Sequence, residues 1–211
     1  MDGTNDDAQA QRRKRVMDAA VGLAAKGGLK ALRIRDVVVR TGVSSATIYR
    51  YFASKEHLLV AALAEQRFAL RPADGAPADG TTPAERVINL LRAPTDALTS
   101  APRLAAAMVQ AMTSGEPGVA PLLASLTEPF VAETAHAIRP PHPTRANYEL
   151  ARTIQRVWFA ALVGWVTAGE TPDSINHAVQ TAAHQLLDPA PNPSQELQST
   201  DDDTTSPPPD R

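Results

Sequence analysis

Between Ser44 and Tyr51 the chain sets small hydroxyls, two tyrosines and an arginine side by side: Ser44, Ser45, Ala46, Thr47, Ile48, Tyr49, Arg50 and Tyr51. Hydroxyl, phenol and guanidinium groups at this density suit hydrogen bonds to base edges and phosphates better than they suit a core. Only Ile48 and, just beyond the stretch, Phe52 look inward. The flanking residues say how such a stretch is held. Gly42 can take positive φ and end one helix, Val43 supplies an apolar anchor in the turn, and Ser44 can cap the helix that follows. This is a helix-turn-helix corner, and residues 44–51 are expected to form a recognition helix in a DNA major groove.

Other chemistries lack their residues. Catalysis needs a nucleophile with a base, or carboxylates paired in an apolar setting, and neither is discernible, so no catalytic residue is assigned and no enzyme is expected. The histidines at 57, 136, 142, 177 and 184 offer no tight pair on one helical face, since His177 and His184 lie two turns apart. With no cysteine there is neither a disulfide nor a thiolate site, and no metal and no cofactor are expected. No charged-then-apolar signal segment and no apolar run long enough for a membrane span is present, which makes the cytoplasm the expected compartment and excludes a membrane partner.

The charge distribution supports a nucleic-acid partner although the net charge of −2 does not. Residues 11–58 hold eleven Lys or Arg against three acids, a balance of +8, while residues 1–10 contribute −3 and residues 59–211 contribute −7. A basic head thus sits on an acidic body, and phosphate neutralisation is the main source of non-specific affinity for DNA. The run of Arg12, Arg13, Lys14 and Arg15 next to a helix-turn-helix is read as a phosphate-contacting face rather than a merely solvated one.

The elements that position these groups follow from apolar spacing. Residues 1–10 are polar and aperiodic and are expected to be disordered. A first helix is expected from about Gln11, with Val16, Ala19, Ala20 and Leu23 as its buried stripe and Gly27 and Gly28 as its stop. Ile34, Val37 and Val38 carry a second, short helix to Gly42. After the recognition helix, Ser54 can cap a helix that opens with Lys55 and Glu56 and runs to about Leu70, long enough to link head and body mechanically. Residues 72–82 read as a loop. The body shows helical patterns at 83–100, 102–114 and 121–138, in which Pro94 and Pro129 predict kinks or breaks. Two stronger helices follow at 144–168 and 172–187. The composition of residues 188–211 cannot bury enough surface to fold, so a disordered tail is expected. The fold class is therefore all-α: a helix-turn-helix domain at 11–58 and a helical domain at 59–187.

The basic start, Ala19 and Ala20, Gly27 and Gly28, Asp36 and Val37, and then Gly42, Val43, Ser44, Thr47, Ile48, Tyr49, Arg50, Tyr51, Phe52, Ser54, Lys55, Glu56 and Leu58 together resemble the N-terminal domain of the TetR family of bacterial transcriptional regulators. The resemblance implies a homodimeric repressor on a palindromic operator, with a C-terminal helical domain that binds an effector and dimerises through its last two helices. It implies DNA contacts at Arg33 and Arg35 at the start of the second helix, at Ser45, Ala46, Thr47, Tyr49, Arg50 and Tyr51 in the recognition helix, and at Lys55. One departure stands out: the family often starts its second helix with Thr or Ser, where this chain has Leu32 and Arg33.

The body is similar, through residues 82–86, the segment around Met108 to Met112, and Ala151, Arg152, Val157, Trp158 and Trp165, to the actinobacterial regulators of cholesterol and steroid catabolism. That likeness implies an apolar effector, a steroid or long-chain acyl-CoA thioester. Met108, Met112, Phe130, Trp158 and Trp165 are the candidate ligand-binding residues, although tryptophans so placed are more often packing residues than pocket walls and the methionines serve at least as well as ordinary core. Ala160, Gly164 and Ala168 form a small-residue row that lets another helix approach closely, and with Val179 and Ala183 they are the candidate dimer interface. A constitutive DNA-binding dimer without an effector, and a small helical enzyme, are the alternative readings.

Overall fold

The structure, a computed structural model, describes residues 3–69 and 80–188; the expected tail, and all of the expected 72–82 loop but its last residues, lie outside the described residues. The described residues are all-α, without strands. The helices are α1 (Gly3–Ala31), α2 (Ile34–Thr41), α3 (Ser45–Tyr51), α4 (Lys55–Ala69), α5 (Pro83–Thr99), α6 (Pro102–Met112), α7 (Val119–Ile138), α8 (Arg145–Ala168) and α9 (Pro172–Leu187).

The head forms where its apolar stripes predict. Val16, Ala20, Leu23, Val37, Ile48 and Phe52 meet in one core, each at most 8% exposed. Helix α1 leaves helical geometry at Gly27 and Gly28, the latter at φ 70°, so the paired glycines stop it as expected and residues 29–31 add one further turn. Its start differs from expectation. Residues 3–10 continue the helix instead of being disordered, and residues 7–10 are exposed, so apolar periodicity does not reveal this extension.

The two internal prolines do not break their helices. Pro94 lies inside α5 and Pro129 inside α7, and both helices run on. Each proline removes one backbone donor. The buried turns around them, with Leu91 and Thr95 in α5 and Phe130 and Val131 in α7, hold the helices through the gap. Helix starts are chemically specified: Thr82 with Glu85 and Thr144 with Asn147 each form a reciprocal capping box.

The packing does not divide at residue 58. The head core takes in Leu58, Leu59 and Val60 of α4, Ala107 and Ala111 of α6, and Val119 at the start of α7. The pairing of α1 with α6 is the most extensive among the described residues. Arg103 of α6 also donates to the Lys26 carbonyl at 2.9 Å. Helix α4 is therefore not the sole mechanical link between head and body. A second core lies among α5, α7, α8 and α9, built on Val87, Leu91, Phe130, Val131, Ala135, Ala151, Ile154 and Val179. Arg86 ties off its edge, donating to the Ala137 carbonyl at 2.7 Å and the Ile138 carbonyl at 3.2 Å at the end of α7.

Two buried threonines fasten α8 to its neighbours. Thr95 of α5 and Thr134 of α7 each donate to a carbonyl four residues back in their own helix. Their free lone pairs accept from α8, Thr95 from Trp158 Nε1 at 2.9 Å and Thr134 from Gln155 Nε2 at 3.1 Å. Removing one partner of a buried hydrogen bond costs more than removing both. Thr134→Val is accordingly expected to lower unfolding free energy by about 1–3 kcal/mol in urea titrations, and adding Gln155→Leu to recover part of that loss.

Candidate nucleic-acid interface

The recognition helix has only seven residues, too few to be stable alone, so its ends must be fixed by their surroundings. Gly42, at φ 68°, closes α2 with its N–H on the Val38 carbonyl at 2.8 Å. The Thr41 hydroxyl donates to the Val37 carbonyl at 2.8 Å and accepts the Val43 N–H at 3.2 Å, bracing the turn, and Val43 is buried in it. Ser44 accepts the Thr47 N–H at 3.2 Å as N-cap. At the far end the Phe52 N–H donates to the Ile48 carbonyl at 2.9 Å. Ile48 and Phe52 are fully buried, which fixes the rotation of α3 about its axis.

That rotation decides what solvent sees. Ser45, Ala46, Tyr49 and Arg50 are exposed, while Thr47 and Tyr51 are half-buried. Tyr49 is 55% exposed, unusual for a large aromatic in a small core. The Thr47 hydroxyl lies 3.0 Å from that of Ser44, and the Arg50 guanidinium lies over the Tyr51 ring at 5.3 Å. These contacts hold the polar groups in place on the outer face.

Three element ends meet beside this face. The start of α2 (Leu32, Arg33 and Ile34), Tyr49 of α3 and the α4 start (Ala53 to Glu56, including Lys55) line an open groove of about 400 Å³. No side chain caps α2, because Arg33 stands where a hydroxyl residue would; the Asp36 N–H bonds back to the Arg33 carbonyl at 3.0 Å, and the N-cap offers the Ile34 and Arg35 N–H groups no side-chain acceptor. Uncapped N–H groups, with Arg33 and Lys55 lining one concave surface, are features that suit an anion of phosphate type. Arg35 is exposed alongside, 3.5 Å from Asp36. Lys55 rests its ammonium on the Leu29 carbonyl at 3.3 Å, within reach of the groove.

The basic run of α1 is only partly available. Arg13 turns inward, paired with Glu65 at 2.7 Å and lying over the Phe52 ring at 5.5 Å, and Lys14 pairs with Asp18 at 2.8 Å, which raises the lysine pKa. Arg12 and Arg15 remain exposed. Of the four expected phosphate-contacting residues, these two are without an ion pair among the described residues.

Residues 16–62 match the family model of the bacterial regulatory proteins, tetR family, and residues 80–186 match that of the tetracyclin repressor-like C-terminal domain. The chain belongs to the TetR family. It is 34% identical over 186 residues to the HTH-type transcriptional repressor KstR of Rhodococcus jostii, covering 88% of this chain and 87% of that one. It is 31% identical over 182 residues to the repressor KstR of Mycobacterium tuberculosis, covering 86% and 83%. Among solved structures, a TetR transcriptional regulator from Rhodococcus sp. RHA1 superposes with a TM-score of 0.74 at 28% identity, over 85% of this chain and 96% of that one. The TetR-family repressor FadR of Thermus thermophilus, in complex with lauroyl-CoA, shares the fold with a TM-score of 0.61 at 20% identity, over 85% and 99%.

In a TetR-family body the remaining expected residues fall into separate places. Phe130 and Trp158 come together, edge to face with ring centroids 5.4 Å apart, in the second core. Met112 packs instead against the head-side core, because α6 turns that face to α1 and α4. Met108 and Trp165 are half-buried and belong to neither core. Thr95, Thr134 and Gln155 are polar residues that the sequence reading missed. Their signal was position: Thr95 continues the Val87 and Leu91 stripe, and Gln155 follows Ala151 and Ile154.

The expected dimer residues also divide. Ala160 and Ala168 are exposed and Gly164 is half-buried, with the Glu170 carboxylate folded over it and accepting from Ser174 at 3.0 Å. Val179 and Ala183 are corrected: at 3% and 0% exposure they are buried inside the protomer, leaving no surface for a partner. The apolar stripe of α9 is narrow and is spent against α5 and α8.

Lys55→Ala is expected to reduce the slope of log affinity against log salt by about one per half-site, and to weaken all DNA sequences alike. Thr47→Ala should instead relax preference at a single operator position by about 1–3 kcal/mol. Anisotropy titrations across a salt series and a set of operator variants separate the two.

Proposed function

We propose that this protein is a ligand-responsive transcriptional repressor that binds a palindromic operator as a homodimer in the cytoplasm and is released by an apolar acyl-CoA thioester, with steroid thioesters the first candidates. The observation that carries the DNA-binding part is the convergence of Arg33, Tyr49 and Lys55 on one open groove beside the exposed face of α3. Thr47, Tyr49 and Arg50, with Ser45 assisting, read bases, while Arg33, Arg35 and Lys55 anchor phosphates. The body reading rests on the likeness to the KstR repressors and on the fold shared with FadR proteins solved with lauroyl-CoA and stearoyl-CoA.

Within the body, Phe130 and Trp158 are the proposed effector-facing pair, and Thr95, Thr134 and Gln155 supply polar groups at the same depth. Recognition helices of a two-fold dimer must match half-sites about 34–36 Å apart, so a shift of a few ångströms between the heads abolishes the fit. The effector must bind the DNA-incompetent form more tightly, and operator DNA must weaken effector binding by the same factor.

Mapping protected DNA upstream of the protein's own gene, with and without a steroid acyl-CoA and oleoyl-CoA, tests the reading. One thioester is expected to remove protection, and the affinity of the protein for that thioester to fall by the same factor when operator is present. Equal affinity with and without operator would make the thioester a passenger. For the dimer, the row of exposed Ala160 and Ala168 with half-buried Gly164 between them is the proposed contact. Gly164→Leu is expected to yield monomers by light scattering and to lose operator binding, while circular dichroism keeps the helical signal.

A further inference from the structure

One imidazole lies where the head meets the body. His57, in the first turn of α4, donates its backbone N–H to Ser54 Oγ at 3.0 Å and accepts the Ala53 N–H on Nδ1 at 3.0 Å. It thereby clamps both residues of the turn that leaves the recognition helix. Its ring stands edge-on to Phe52, with centroids 5.9 Å apart, and Phe52 is the buried residue that closes α3. On its other side is Gly118, the N-cap of α7, at φ 87°. A Cβ built on Gly118 would touch the ring at ordinary van der Waals distance, 3.4 Å from Nδ1 and 3.6 Å from Cε1, so the start of α7 lies directly against the imidazole, and it is the positive φ that calls for glycine there.

We propose that His57 is the positioning residue that couples the body to the recognition helix, its unprotonated Nδ1 holding the turn between α3 and α4 and its ring edge receiving any displacement of the α7 start. The proposal rests on the reading of α3 as the DNA-reading helix. A push from Gly118 falls on the same edge that holds the Ala53 N–H, and so reaches the end of α3 directly. Phe52 adds a second route, since the Arg13 guanidinium above its ring is tied to Glu65 of α4 at 2.7 Å.

The same geometry makes the joint sensitive to protons. Accepting the Ala53 N–H requires a lone pair on Nδ1, and a proton there would set two donors against each other. The charged groups around the ring do not help it protonate. Arg13 of α1 is a like charge, and Glu65 is taken up by Arg13. Lys55 and Glu56 of α4 lie 3.9 Å apart, Arg50 of α3 stacks on Tyr51, Arg103 of α6 is turned to Lys26, and Glu116 before α7 is exposed. Among the described residues no carboxylate bonds the ring. Burial first, and then the Arg13 charge, hold the His57 pKa below its ordinary 6.5. With a lowered pKa the folded joint prefers the neutral ring. Its contribution is complete above pH 6.5 and is lost as pH falls from there through the folded pKa.

The test uses the full chain and a DNA fragment that it selects from a pool of random palindromes, with affinity read by anisotropy at about pH 7.5 and about pH 5.5 at constant ionic strength. Wild type is expected to lose affinity by roughly threefold or more on acidification. His57→Leu, with no acceptor, should bind weakly at both pH values. His57→Gln, which places an untitratable acceptor at a position where capping boxes use one, should rescue most of the affinity lost in His57→Leu and give a flat pH profile. Gly118→Ala should weaken binding in the wild-type background and weaken it less beside His57→Gln. A His57→Gln profile that parallels wild type overturns the proton-sensitive joint, and equal effects of Gly118→Ala in both backgrounds overturn the coupling to α7. Selection of no sequence by the wild-type protein is a different failure: it overturns the DNA-binding reading, and the inference with it.

Discussion

The side-by-side packing of α1 and α6 is the constraint on which the rest of the molecule depends. Because Val16, Ala20 and Ala24 share one core with Ala107 and Ala111, the head cannot move as a bead on a string. Small residues on α6 bring the helices close, and Arg103 seals the far end against the Lys26 carbonyl. Close-packed interfaces respond by switching between arrangements rather than by deforming smoothly, so a change in the body is transmitted to the head as a change of packing. The start of α7 enters the same core through Val119, which puts Gly118 beside His57.

The recognition helix is the complementary case, an element with almost no stability of its own. Its seven residues are held by Gly42 and Thr41 before it, Ser44 at its start, and Ile48 and Phe52 beneath it. Fixing both ends while burying only two side chains leaves the rest of the surface for polar groups. This places Tyr49 and Arg50 in solvent on a rigid support, which the proposed base readout needs because a misplaced donor loses its bidentate geometry.

Electrostatics separates the molecule into parts that meet DNA and parts that avoid it. The head carries +8 over residues 11–58, but not all of it faces outward. Arg13 is committed to Glu65 and Phe52, and Lys14 to Asp18. Arg33, Arg35 and Arg50 are exposed, and Arg33 and Lys55 line the groove beside α3. The acidic remainder of the chain favours one orientation on a polyanion, with the head inward.

The sequence by itself determined the helical class, the corner at Gly42 and Ser44, the inward pair Ile48 and Phe52, the caps at Ser44 and Ser54, and the exposed groups of α3. Those are local consequences of conformational preference and short-range spacing, which a single stretch of chain encodes. Tertiary structure alone decided everything that depends on which faces meet. Val179 and Ala183 carry the same apolar signature whether they bury against their own chain or a second copy, and only the packing of α9 on α5 and α8 removes them from the surface. Arg13 reads as a phosphate contact in a basic run until Glu65, 52 residues away, is brought beside it. Residues 3–10 form helix without an apolar stripe to announce it, and α5 and α7 continue past prolines because their flanking turns are buried. His57 bonds Ser54 and Ala53 at short spacing, but its contact with Gly118 is not legible from the sequence. Its role emerges where α1, α3, α4 and α7 converge, since contacts between distant segments are fixed by the core they share and not by the residues on either side.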